Sequence, residues 1–340
     1  MHETSQPHKV MTVMGWENPK KLGVTDAHNH LWIEPVPGIA AGLPQLFDHK
    51  AILEELLDYR SAGGGAIVDC QPGGCGRNGL ALQALSQASG VHVVASTGFH
   101  RRKYYPPDFW LFQASESRAA DFFTAELETS LVESMATETT AAQPGVLTRI
   151  DHNDDRLPNG KPVRAGLIKI ACEATLAETP TALLPAAAEA SRRTGAAIQV
   201  HTEKGNAAEA ILEFFESQGI SPERLVICHI DKRPDLGLHR ELAGAGALLE
   251  YDTFYRWKYA PEERLWPLLE AMLQAGLDNR IALATDMAES ELWARLGKGP
   301  GLAGFLDCIR PRLEALGCPM GSIARLMGGN INAWLARPAG

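Results

Sequence analysis

The stretch Val24-Thr25-Asp26-Ala27-His28-Asn29-His30 decides how the rest of the chain reads. It begins with the β-branched and apolar character of a strand and ends in two histidines one residue apart. Side chains alternate across a strand, so His28 and His30 project to one face and could grip one ion from one side. Seven runs of similar character follow, at 66–70, 91–98, 166–173, 197–203, 225–231, 247–254 and 281–287. Most are separated by helix-length segments, among them 51–62, 80–89, 119–136, 181–194, 206–218, 262–275 and 302–316. Such alternation implies parallel strands joined by helical crossovers. Eight repeats favour an α/β fold of the closed (β/α)8 TIM barrel type over an open doubly wound sheet. Gly63-Gly64-Gly65, Gly195 and Ser221-Pro222 supply the stops between helices and the strands that follow.

The bulk properties agree with one barrel domain spanning 1–340, with 1–23 as a lead-in and 137–161 as a polar loop. At 340 residues, with 45% hydrophobic and 21% charged residues, the chain has ample material for one core. No run approaches the roughly 18 apolar residues of a membrane span, and the N-terminus lacks the layout of a signal peptide. A cytoplasmic protein with no membrane partner is expected. The six cysteines form no CxxC pair; Cys70, Cys172 and Cys228 sit in strand-like runs as small hydrophobes, and all are expected to be reduced. A formal net charge of -9 argues against nucleic acid and leaves a small molecule as the expected partner.

The metal-loving residues fall at strand ends. Beyond His28 and His30, the fifth run carries His201, the sixth His229 and Asp231, the eighth Asp286, and the fourth Lys169 inside Gly166-Leu-Ile-Lys-Ile-Ala171. In a parallel barrel the C-terminal strand ends share one rim, so these residues converge. Each has an ordinary alternative. A lone histidine more often packs than binds metal, Asp286 could cap a helix, and Lys169 could form a buried ion pair with Glu173. Four histidines, one aspartate and one strand lysine on a single rim favour a metal centre.

From Leu22-Gly23-Val24-Thr25-Asp26-Ala27-His28-Asn29-His30-Leu31 to Gly329-Asn330-Ile331-Asn332, the sequence resembles the phosphotriesterase-like branch of the amidohydrolase superfamily. Gly76-Arg77-Asn78 and Ser96-Thr97-Gly98 carry the likeness through the middle, although many relatives read HEHL where this chain reads HNHL. The resemblance implies two divalent ions, Zn2+ in the first place, with Mn2+, Co2+ or Fe2+ as alternatives. It assigns His28, His30 and Asp286 to the more buried ion and His201 and His229 to the more exposed one, with Lys169, N-carboxylated by CO2, bridging both. It further implies a hydrolase in which water activated between the ions attacks, Asp286 takes the proton, and Asp231 stands at an acidic relay position. A homodimer is the assembly that related barrels suggest.

The expected substrate is a lactone or carboxylic ester; phosphotriester or N-acyl amide hydrolysis is the alternative, and a metal-containing binding barrel with little catalysis is a third reading. His100 follows the third strand where relatives place tyrosine or tryptophan, and Thr253 follows Asp252 where they place histidine or arginine. Arg77, Arg101, Arg233, Arg256 and Lys258 lie in loops after the strands, which suits an anionic substrate group. Together with His100, Tyr251 and Thr253 they are the expected substrate contacts.

Overall fold

A computed structural model of the chain describes residues 7–134 and 162–339. The expected helix end at 135–136, the polar stretch 137–161 and residues 1–6 lie outside the described residues. The lead-in has structure of its own. β1 (His8–Thr12) pairs antiparallel with β2 (Gly15–Glu17) on one edge and with Arg337–Pro338 on the other, tying the two ends of the chain together. A short helix, α1 (Pro19–Leu22), leads into the barrel.

Eight parallel strands follow: β3 (Val24–Asn29), β4 (Gly64–Asp69), β5 (His92–Gly98), β6 (Leu167–Ala171), β7 (Ile198–His201), β8 (Leu225–Cys228), β9 (Leu248–Tyr251) and β10 (Ile281–Leu283). They pair in sequence order. The seam between the last and the first is closed above β10, where the Asp286 N–H donates to the His28 carbonyl at 2.9 Å and the Thr285 N–H to Asp26 Oδ1 at 3.1 Å. Helices α2 (His49–Ser61), α3 (Gly79–Ser89), α4 (Glu116–Glu128), α5 (Leu183–Thr194), α6 (Ala208–Ser217), α7 (Leu236–Ala245) and α8 (Leu265–Gln274) fill the crossovers.

Two differences from the sequence reading have local causes. Helix α7, capped by the Asp235 side chain, is squeezed between Pro234 and Gly246 and shows only a short apolar pattern. The expected helix at 302–316 divides into a π turn, Phe305–Ile309, and a short helix α9 (Arg310–Ala315). Pro311 there has no N–H to continue an α-helical ladder.

The inward positions of the strands change character along the barrel. At the N-terminal end Ala66, Val68, Val94, Leu167, Val226, Leu248 and Ala282 form an apolar layer, sealed below by Val10, Ile331 and Leu335. Two residues further along the same phase come Lys169, Cys228 and Glu250, all buried, with His28 and Gln199 beside them. The alternation of strand side chains thus turns an apolar plug into a polar floor at the C-terminal rim. Gly98 allows the close packing this requires, since at its φ of +111° a Cβ would lie 2.0 Å from the Lys169 carbonyl oxygen.

Candidate metal centre

Several of the expected strands end earlier than the sequence suggests, and this positions the ligands. β8 stops at Cys228, and His229 takes a left-handed φ of +60°; β10 stops at Leu283, and Asp286 has φ +47°. Such values are uncommon for residues with side chains and recur where function fixes a side-chain direction. Asp286 caps no helix; its backbone N–H is the seam bond to His28.

His28, His30 and Asp286 offer ligand atoms all within 4.8 Å of one another. Asp286 Oδ1 lies 3.5 Å from His30 Nε2 and 3.8 Å from His28 Nε2. His28 Nδ1 donates to Glu250 Oε1 at 2.7 Å and His30 Nδ1 to Gln71 Oε1 at 2.8 Å, which leaves both Nε2 lone pairs aimed at Asp286. In a second grouping, His28, His229, Glu250 and Asp252, the possible ligand atoms also lie within 4.8 Å of one another. There, however, Glu250 and Asp252 are already spent on the Nδ1 atoms of His28 and His229, so they orient ligands more readily than they serve as ligands. The rings of His28, His229, His201 and His100 form a chain, with centroids 4.9, 4.6 and 5.6 Å apart.

The chemistry of these donors fits a cation. Burial holds His28, His100 and His229 well below the ordinary histidine range and His201 at about 4, so the imidazoles are neutral and keep lone pairs. His201 Nε2 is buried without a hydrogen-bond partner, the nearest carboxylate oxygen, Glu203 Oε2, standing 3.9 Å away. Burial would raise the Asp286 carboxyl, but the Arg256 guanidinium beside it holds it well below the usual carboxylate range.

Lys169 is buried, with its Nζ 3.3 Å from His28 Nε2 and 3.5 Å from Cys228 Sγ. Among the described residues no carboxylate lies within ion-pair distance of it, and Glu173 pairs with Arg101 instead. Burial works against its ammonium, and the acidic groups around it (Cys228, Cys70, Glu250 and Asp286) work for it and prevail. A buried amine among histidines, with no carboxylate within ion-pair distance among the described residues, and an imidazole nitrogen without a hydrogen-bond partner are features that two bridged cations would complete.

The remaining expected residues are sorted by the structure. His100 lies beside His30 and His201, at centroid distances of 6.2 and 5.6 Å. Arg256 reaches Asp286 and Glu289. Arg101 lies at the rim, paired with Glu173 and Glu203. Arg233 pairs with Glu209, and the exposed Lys258 sits over Tyr259. Arg77 is buried away from the rim between Glu126 and Glu133, and also donates to the Ser96 carbonyl, so it braces α3 and α4 rather than reaching a substrate. The Tyr251 hydroxyl meets His239 Nδ1 at 2.6 Å behind β9. Asp231 Oδ2 accepts from the Asp252 and Thr253 N–H groups and from Thr253 Oγ1, at 3.1, 2.9 and 2.6 Å. The contacts of Asp231 thus staple the loop after β9 and do not run to Asp286, and Thr253 Oγ1 is turned to that staple.

Glu250, Asp252 and Gln71 are not among the site residues expected from the sequence, and Lys232 is there only one of the basic residues of the rim loops, not singled out as a substrate contact. Glu250 and Asp252 carried a signal, since two acids spaced by two in the apolar run Leu248-Leu249-Glu250-Tyr251-Asp252 must share the inward face. Lys232 stood next to Arg233 without anything to rank one above the other. In the structure the Lys232 side chain is 9% exposed against 39% for Arg233, with its Nζ 4.0 Å from Asp252 Oδ1.

Comparison with known proteins agrees with this geometry. The model of the Phosphotriesterase family matches residues 8–334. A phospho-furanose lactonase of Mycoplasmopsis synoviae is 28% identical over 345 residues, covering 96% of this chain and 91% of the relative. An N-acetyltaurine hydrolase of Danio rerio is 26% identical over 371 residues, covering 96% and 97%. Among solved structures, an amidohydrolase from Mycoplasma synoviae superposes with a TM-score of 0.83 at 25% identity, over 98% of this chain and 94% of that one. The chain belongs to the phosphotriesterase family and is a hydrolase of lactone, ester or amide bonds, with a buried His/Asp/Glu cluster that fits a binuclear metal site.

Proposed function

We propose that this barrel hydrolyses a lactone or carboxylic ester carrying an anionic group. Its two divalent ions, zinc by preference, would be held by His28, His30, Asp286, His201, His229 and an N-carboxylated Lys169. The observation that carries the reading is Lys169, a buried amine that touches a histidine and has no carboxylate within ion-pair distance among the described residues. Addition of CO2 to Nζ with loss of two protons would turn that cation into a bidentate anion. Bound ions supply Lewis acidity and water of lowered pKa. Glu250, Gln71 and Asp252 fix the tautomers of three histidines so that the remaining ring nitrogens stay free to bind. Asp286, kept ionised by Arg256, accepts the proton of the attacking water and returns it to the leaving group.

The anionic group rests on Lys232, whose ammonium is nearly buried and whose one ion-pair partner among the described residues is Asp252, at 4.0 Å. Burial pulls this ammonium down, but the carboxylates of Asp252, Asp286 and Asp231 more than offset that, so it stays charged. The names of the phospho-furanose lactonase and N-acetyltaurine hydrolase relatives both describe substrates with an acidic group, which supports the same reading. The second name also favours amide cleavage as the second reading. A single domain, homodimeric assembly and a cytoplasmic location complete the proposal. All six cysteines are unpaired, and no described helix is long and apolar enough to cross a membrane. Light scattering tests the dimer.

The deciding experiment is turnover of lactones, carboxylic esters, N-acyl amides and phosphotriesters, each in anionic and neutral form, before and after chelation. Anionic lactones or esters should lead, with activity lost on chelation and restored by added metal. A lead for neutral phosphotriesters, or indifference to chelation, would overturn the reading.

A further inference from the structure

His28 and His30 lie at the end of the first barrel strand and Asp286 follows the last, so this trio of candidate ligands straddles the seam of the barrel. β3 and β10 are the two ends of the strand-pairing order, and above β10 they are joined largely through side chains. Asp26, Asn29 and Thr285 make that join, and all three are buried.

Four donors converge on the Asp26 carboxylate. Oδ1 accepts from the His28 N–H at 3.2 Å and from the Thr285 N–H at 3.1 Å. Oδ2 accepts from Asn29 Nδ2 at 2.9 Å and from the Thr285 hydroxyl. Asn29 Nδ2 also donates to Thr285 Oγ1 at 2.8 Å, and Asn29 Oδ1 accepts from the His30 N–H at 2.8 Å. These bonds fix one another's direction. The His30 N–H can only donate, so the amide oxygen faces it and the amide nitrogen faces Asp26 and Thr285. Thr285 Oγ1, accepting from that nitrogen, has its own proton left for Asp26. Position 29 therefore needs a side chain that donates on one side and accepts on the other. Asparagine meets that need; a carboxylate would oppose Asp26 with no proton between them. It is the position at which HNHL departs from HEHL.

The backbone carries the same constraint. Between the paired positions Asp26–Ile67 and Asn29–Asp69 the register slips, an irregularity of the kind that re-aims a side chain. Asp286, one residue beyond Thr285, sits at φ +47°, a conformation that persists only where its surroundings hold it.

We propose that Asn29 is a positioning residue of the metal centre. With Asp26 and Thr285 it locks the two sides of the seam, so that the His28–His30 pair and Asp286 face each other before an ion arrives. The role rests on the two-ion reading above, and Asn29 acts in it through His30 and Thr285 rather than as a ligand.

The test is an exchange of donor and acceptor. Asn29→Asp sets two acceptors against each other and Asp26→Asn two donors, whereas the double variant Asp26→Asn/Asn29→Asp restores one of each. Thr285→Val is the mild case, removing one hydroxyl with little change of shape. Two quantities are read well below the melting temperature: Zn2+ affinity by chelator competition, and amide hydrogen exchange of the metal-free protein in peptides covering 26–30 and 284–288. Each single variant at 26 or 29 should weaken Zn2+ binding about 10- to 100-fold and speed exchange in both peptides, and the double variant should return both close to wild type. Thr285→Val should weaken binding about two- to tenfold. If a single variant fails to fold, the double variant and Thr285→Val decide the matter. Wild-type affinity in the variants, even with a lowered melting temperature, would overturn the role, since the clamp would then serve folding alone. A double variant that binds as weakly as the singles, or no more tightly than about tenfold below wild type where they do not fold, would overturn it too. These outcomes count against Asn29 and leave the two-ion reading standing. A wild type that takes up no Zn2+ would instead count against the two-ion reading, and the role of Asn29 would fall with it.

Discussion

The floor of the site and the loops above it are held by different means. On the floor, each of three histidines has one ring nitrogen fixed by a buried acceptor (Glu250, Gln71 or Asp252) that comes from a strand or its first following residues. In the loops, most cations are matched locally: Arg101 by Glu173 and Glu203, Arg233 by Glu209, Arg256 by Asp286 and Glu289. The floor is therefore preorganised by strand register, while the loops are a set of ion pairs from which Lys232 stands apart. Catalytic power should depend steeply on floor residues. Loop substitutions should mostly change which substrate binds.

The largest break in that contrast is predicted for Lys169→Ala, which should lower metal content and reduce turnover to background while the barrel stays folded by circular dichroism. Asp286→Asn removes the proton acceptor as well as a ligand, and kcat should fall by about 10²- to 10⁴-fold. Glu250→Gln and Gln71→Leu should each weaken metal affinity by about 10- to 100-fold, read by chelator competition, because they release a histidine tautomer without touching a metal. Among the loops, Lys232→Ala should raise KM for an anionic substrate about tenfold or more, consistent with loss of one charged hydrogen bond. Arg233→Ala, already neutralised by Glu209, should stay within about twofold on the same measure. Equal effects from the two would erase the distinction drawn between them.

The smallest effect concerns pH. Burial holds the Asp69 carboxyl at about 6, against 3.8 in its ordinary state. Between those values the folded chain keeps a proton that the unfolded chain has released. The contribution of Asp69 to stability therefore falls as pH rises from about 4 to about 6. Asp69→Asn should show a shallower decline across that window in urea unfolding.

The same contrast explains what could be read before the structure. Period-two alternation and strand-helix spacing expose the eight strands, and ligands at strand ends inherit their placement from that pattern, which is why His28, His30, Lys169, His201, His229 and Asp286 could be named. A charge inside an apolar run marks Glu250 as clearly as it marks Lys169, although only Lys169 lies among the residues expected at the site. Loop residues carry no such periodicity. Arg77, one residue after the tight turn at Gly76, and Lys232, next to Arg233, differ in fate only through long-range partners such as Glu126 and Glu133. The N-terminal hairpin carries no local signal for a similar reason, since its edge partner, Arg337–Pro338, lies at the other end of the chain.

The central claim is that the floor is a two-ion centre bridged by a carboxylated lysine. Its most direct test is metal analysis of the purified protein with 13C NMR after equilibration with 13CO2, run on the wild type and Lys169→Ala. Two ions per chain and a carbamate resonance lost in the variant are predicted. Full turnover in a protein stripped of metal, or an unchanged resonance in Lys169→Ala, would contradict the account.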